Sequence, residues 1–194
     1  MFQSLIFPQR LHATVLRDNI ANFFSVFLGI LSALPLRNIF SAESLSPLIR
    51  GIRNVFLYGE TYSYVSSAIL AFLPVTLLVL LAYTVFGRHC VSAVFFFYAF
   101  FHTFISCVFI RAFSSIGILY ALLSYGLCDL FVFPGLCISA CLSVELSSSV
   151  AKSCRGGGRI DIRRYTTELL SGFLFPLLGV FISYIAISLY QMFL

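Results

Sequence analysis

Polar and apolar positions along this chain fall into long apolar blocks separated by short polar stretches. The apolar blocks cover about 20–36, 64–86, 91–110, 116–146 and 168–189. A helix needs about 20 apolar residues, with a lower limit near 17, to cross a hydrocarbon core of about 30 Å. The first block just meets that limit, and the fourth is too long for one straight crossing. The pattern predicts an all-α, polytopic transmembrane helix bundle of about five spans. Residues 1–194 form a single transmembrane domain, because no soluble domain, long linker or internal repeat interrupts the blocks.

Local signals refine the blocks. The first 19 residues read as a short amphipathic lead-in at the membrane surface, not as a signal peptide. Asp18 and Asn19 are candidate N-caps for the first span, and Pro35 stands near its exit. The mixed stretch 37–62 holds Arg37, Glu43, Arg50, Arg53 and Glu60. Within it, Ser46-Pro47 can open a short interfacial helix carrying Leu48, Ile49, Ile52, Val55 and Phe56 on one face. Pro74 falls mid-span and predicts a kink. Gly87-Arg88-His89 reads as a tight polar turn, and Ser114 to Gly117 as a short connector.

The fourth block contains Gly126, Asp129, Pro134 and Gly135. Two readings fit it: one long kinked helix, which we favour, or two half-helices that re-enter near Asp129–Pro134. A broken helix is tolerated only where protein or water covers the freed backbone groups. The stretch 147–167 is the most polar loop, with Gly156-Gly157-Gly158 at its centre.

Composition sharpens the membrane reading. Hydrophobic residues make up 60% and charged residues 10%, and mean hydropathy is +1.02. A soluble domain is nearer 45–50% apolar and about 25% charged. The 23 Phe and 10 Tyr suit lipid-facing and headgroup-level positions respectively. Net charge is +5, but the basic residues are scattered between apolar blocks, with no dense patch and interleaved aromatics, so nucleic acid is not expected as a partner.

With five spans, one side receives Arg10, Arg17, Arg88, Lys152, Arg155, Arg159, Arg163 and Arg164, and the other Arg37, Arg50, Arg53 and Arg111. The positive-inside rule then places the N-terminus in the cytoplasm and the C-terminus outside. The basic loop would also attract anionic headgroups at about 1 kcal/mol per charge.

Candidate chemistry is sparse. Asp129 is the most informative residue, since a carboxylate at the centre of a span costs about 2.5–3.5 kcal/mol on insertion scales. It is either an ion, proton or substrate contact or the cap of a half-helix. His102 and Ser106 stand one turn apart and can line a polar seam between helices, with His102 read as a hydrogen-bonded packing residue. Arg111 is placed to snorkel. Glu145 and Glu168 bracket the basic loop and are expected to pair with its arginines. Gly135, Ser139 and Ser143 form a small-residue row that lets another helix approach closely. That helix is either from the same chain or from a partner, as in an oligomer. The six cysteines lack CxxC or ligand spacing and read as small buried apolar residues. No nucleophile constellation, phosphate loop or metal motif is present. Enzymatic activity, a bound metal and a cofactor are therefore not expected.

In layout, and in the segments FFHTFISCVFIRAF and LSYGLCDLFVFPGLCISACLSVEL, the chain resembles the stage II sporulation protein M family of small bacterial membrane proteins. Pro134-Gly135 matches that family's proline-plus-small-residue element. Leu127 stands where the family has an earlier proline, Val132 where it often has glutamate, and His102-Thr103 where a Lys-Gly or Asn-Gly is frequent. The resemblance implies a non-catalytic scaffold in the bacterial cell membrane that recruits peptidoglycan-remodelling enzymes during engulfment. Membrane-anchored cell-wall hydrolases would be its partners, and the 37–62 connector and the outer end near Arg111 to Ser115 its extracytoplasmic contact surface. The alternative is a small transporter component with a polar path near Asp129.

Overall fold

The computed structural model describes residues 11–39, 46–47, 62–156 and 162–192. Its helices are α1 (Leu11–Ile39), α2 (Tyr62–Ala82), α3 (Gly87–Ala121), a π-helical segment (Leu122–Gly126), α4 (Leu127–Cys154), α5 (Ile162–Ser171) and α6 (Leu174–Met192). The chain is an all-α bundle and a multi-pass membrane protein. Four helical stretches are long and apolar enough to cross a bilayer: Asn19–Leu36, Gly87–Arg111, Leu127–Cys154 and Tyr165–Leu189. The shorter apolar stretch Ala71–Ala82 lies within α2. Of the expected lead-in, residues 1–10 lie outside the described residues. So does the 37–62 connector from residue 40 to 61, apart from Ser46 and Pro47, which are helical.

α1 shows why lipid is its solvent. Its outward positions are large and apolar: Phe23, Phe24, Phe27 and Leu31 are all exposed. Its inward stripe is small or polar: Asn19, Asn22, Gly29 and Ala33 are buried, at spacings of three, seven and four residues. A helix in water would carry the opposite pattern. Small inward residues let backbones approach closely. A Cβ on Gly29 would sit 2.5 Å from the Phe96 carbonyl oxygen and 3.1 Å from the Phe100 nitrogen.

Contacts fix the helix directions. α1 runs parallel to α3, with Ser92 donating to Asn22 at 2.9 Å and Gly29 against Phe96. α4 runs antiparallel to α3, since Tyr98 meets Asp129 while the Arg88 amide meets Ser147. α2 runs parallel to α4, through Ser143 to Leu78 and Ser147 to Thr84. α6 opposes α4, with Gly135 against Phe175 and Gly179 against Cys128. The directions alternate, so the start of α1 and the end of α6 lie at opposite ends. α4 is the hub, packing on α2 and α6 and touching α1, α3 and α5. Val75, Leu78, Phe95, Val132 and Leu136 are fully buried around it.

Several sequence expectations shift. Asn19 is not a cap. α1 begins at Leu11, so at residue 19 the backbone is already inside the helix and the side chain turns inward, donating to Cys141 Sγ at 3.5 Å. The first turn after α2 spans residues 83–86, with Gly87 already opening α3. The loop 147–167 is largely helical, because α4 runs on to Cys154 and α5 starts at Ile162. Helical turns persist from Gly87 to Ala121, yet a Cβ on Gly117 would meet the Phe109 backbone and sit 3.0 Å from Ile110 Cα. Eight residues along a straight helix would separate these by about 12 Å, so the chain reverses between Arg111 and Gly117.

The irregularity expected near Asp129–Pro134 lies elsewhere. α4 passes through both residues without interruption, and the departure from α-geometry is the π turn Leu122–Gly126. Pro134 lacks only its own amide hydrogen bond, and packing on the neighbouring helices carries the helix through it. A single continuous segment, not a re-entrant pair, therefore joins residue 127 to 154.

Candidate functional site

The π turn brings the polar residues of two helices together. π-helical turns recur at functional sites because they change the phase of the helix that follows. Here Tyr125, inside the turn, sets its ring edge-on to His102 at 5.7 Å and to Phe109 at 5.7 Å. One turn later Asp129 faces α3. Tyr98 Oη donates to Asp129 Oδ1 at 2.6 Å. His102 Nδ1 lies 3.1 Å from the same oxygen, although its ring does not align with that oxygen well enough for a hydrogen bond. Tyr98 and His102 stand one helical turn apart, their ring centroids at 4.3 Å.

Depth makes this cluster unusual. At 1.5 Å per residue, His102 is about 21 Å along α3 from Arg88 and about 14 Å from Arg111. It lies well within the hydrocarbon layer. His102 is only 9% exposed, and neither ring nitrogen has a hydrogen-bond partner among the described residues. The Asp129 side chain is 32% exposed. The Tyr98 and His102 contacts to that carboxylate converge on Oδ1.

The exposed part of Asp129 opens into a cavity of about 520 Å³ between α1, α3 and α4. That is within the usual range of small-molecule sites, about 300–1,000 Å³. Tyr98, His102, Thr103 and Asp129 supply its polar wall; Val26 and Phe133 are among its apolar residues. Ile30, Leu130 and Pro134 stand at its edge and are exposed on the lipid-facing surface. A second cavity of about 360 Å³ opens between α2 and α3, where Tyr98 and His102 again form part of the wall. The two rings thus stand between two lateral grooves.

Other expected site residues have different roles. Asp129 does not cap a half-helix, since its carboxylate takes a side-chain donor from α3. Ser106 is half-buried one turn beyond His102, and Asp129 and Tyr98 complete the polar seam in its place. Gly135, Ser139 and Ser143 are all buried and are occupied from within the chain. Gly135 meets Phe175, Ser139 meets Gly172, and Ser143 donates to Leu78 O at 2.8 Å. Ser147 extends the row, donating to Thr84 O at 2.7 Å and accepting from the Arg88 amide at 3.1 Å. Glu145 accepts from Tyr165 Oη at 3.0 Å. Arg111 is exposed at the end of its span.

Two features were not anticipated from sequence. Tyr98 is hidden in the run FFFYAFFH, and only its one-turn spacing from His102 could have marked it. A second polar chain lies toward the other end of α1. Asn22 Nδ2 donates to Asn19 Oδ1 at 3.2 Å and Ser92 Oγ donates to Asn22 Oδ1 at 2.9 Å, tying α1 to α3. All six cysteines are free thiols. Among the described residues, no group of three His, Cys, Asp or Glu side chains is placed to hold a metal ion. In comparisons with known proteins, no family model, no curated protein and no solved structure matches this chain.

Proposed function

We propose that this protein is a small membrane transporter component whose solute path runs past Asp129. The observation that supports it is the Tyr98–His102–Asp129 cluster, buried at mid-span and opening sideways into a ligand-sized cavity. Ionisable residues inside a span are costly and mark substrate or proton paths. A purely structural hydrogen bond would not need a third of the carboxylate open to a cavity. In proteoliposomes with a trapped pH-sensitive dye, the wild type is expected to carry a proton or solute-coupled flux. Asp129→Asn should abolish that flux while leaving protein abundance unchanged. Purified protein that moves neither ion nor solute would end this reading.

A second reading follows from the resemblance in layout to the stage II sporulation protein M family. It makes the chain a scaffold for peptidoglycan-remodelling enzymes in the bacterial cell membrane. The position of α1 favours it: this helix keeps a broad exposed apolar face and leads straight into the 37–62 connector. Exchanging that connector for an unrelated linker should abolish capture of cell-wall hydrolases without preventing insertion. Retained capture would rule the scaffold out. In both readings the N-terminus is cytoplasmic. Arg88, Lys152, Arg155 and Arg163 are exposed, and Arg88 and Lys152 stand at the end where α2 passes into α3 and where α4 finishes. The positive-inside rule assigns that end to the cytoplasm.

A further inference from the structure

We infer that the cavity between α1, α3 and α4 binds a lipophilic cation drawn from the bilayer, with the Asp129 carboxylate as its counter-charge. The inference rests on reading Asp129 as the functional centre, and it names the class of ligand that centre takes.

Three features carry it. The first is access. The cavity's edge is formed by side chains on the lipid-facing surface, among them Leu130 at 69% exposed, so a ligand enters from the acyl region and must be apolar over most of its surface. The second is charge. Asp129 is the acidic side chain lining this cavity, and no Lys or Arg among the described residues lines it. An anion would meet an uncompensated like charge in low dielectric, whereas a cation neutralises one. The third is the wall. The rings of Tyr98 and Phe133 line the cavity together with the carboxylate, and aromatic faces attract desolvated cations.

The test uses the full chain in lipid nanodiscs and an isosteric pair of probes, tetraphenylphosphonium and tetraphenylborate. Saturable phosphonium binding is expected, with no comparable borate binding. Asp129→Asn should weaken phosphonium binding at least tenfold. Asp129→Glu should restore most of it. Leu130→Trp, which fills the edge of the cavity and leaves the polar cluster intact, should block it. Equal binding of the two probes would overturn the inference. So would undiminished binding by Asp129→Asn, equal competition by the neutral amphiphile farnesol, or a wild type that binds no phosphonium. A proton flux that depends on Asp129 without phosphonium binding would sink the cation assignment and leave the transporter reading standing. Phosphonium binding without any flux would do the reverse.

Discussion

Gly135→Ala tests the close crossing of α4 and α6. A Cβ there would lie 2.6 Å from Phe175 Cβ and 3.1 Å from the Gly172 carbonyl oxygen. Carbon–carbon contacts settle at about 3.5–4.0 Å, so α4 and α6 would have to part by about 1 Å. Neither neighbour can swing away: one is the root of a side chain and the other is backbone. The strain therefore spreads along the crossing, where Ser139 already presses on Gly172 and the Cys128 carbonyl lies 2.8 Å from the Cβ position of Gly179. Overpacking of this kind costs about 1–3 kcal/mol. At 1.4 kcal/mol per tenfold, the population in which the two helices have opened rises about five- to 150-fold. Cys128 reports on that opening, being 5% exposed at the crossing. In mild detergent, with cysteine labelling read site by site in a mass spectrometer, Cys128 should react faster by that factor when opening and closing outpace labelling. A Cys128 rate within twofold of wild type would refute the close-contact account of α4 and α6.

Asn22→Ala should lower the thermal midpoint in detergent. Asn22 makes one interhelical hydrogen bond, accepted from Ser92, and such bonds in membranes average about 0.6 kcal/mol with a maximum near 1.7, so a loss of about 0.6–1.7 kcal/mol is expected; an unchanged midpoint would mean the bond to Ser92 holds nothing. Ser147→Ala removes the hydroxyl that accepts from the Arg88 amide and donates to Thr84 O, and hydrogen exchange at Arg88 should speed up about tenfold, matching the 1–3 kcal/mol cost of an unmade buried hydrogen bond. Orientation is open to a direct check: with native cysteines replaced, Arg88→Cys and Lys152→Cys should react with an impermeant reagent from one side of the membrane and Arg111→Cys from the other. Labelling of all three from the same side would contradict the alternating helix directions.

The helices themselves were legible because lipid as solvent turns whole segments apolar, and that signal survives without any knowledge of partners. Their ends were less so. Asp18-Asn19 reads as a cap because it precedes an apolar run, but the helix is already several turns old there and Asn19 serves the interior instead. Gly87-Arg88-His89 drew the turn toward polar letters, whereas the chain turns at Tyr83 to Phe86 and secures itself through a serine 63 residues away. Asp129 stood out because a carboxylate in hydrocarbon always needs a reason. Its reason was not legible: Tyr98 donates across 31 residues, and a tyrosine among phenylalanines gives no local sign of that. The small-residue row was visible at its spacing, but only three-dimensional packing shows that the chain fills it with its own α2 and α6.

The parallel pairing of α1 with α3 has a consequence for how the protein is made. α1 packs on α3 and lies against α4, with no substantial packing on α2 among the described residues. α1 and α2, although successive in the chain, therefore do not form a helical hairpin. α1 enters the bilayer with its inward stripe, Asn19 and Asn22 included, facing lipid or the insertion machinery. Asn22 waits for Ser92, 70 residues later, and Asn19 for Cys141, 122 residues later. During that interval the nascent chain holds two carboxamides within the membrane, bonded to each other but without their partners on α3 and α4, and retention of α1 by an insertase until α3 emerges would shield them. Biogenesis, as much as the finished fold, is where an error at Asn22 would first be felt.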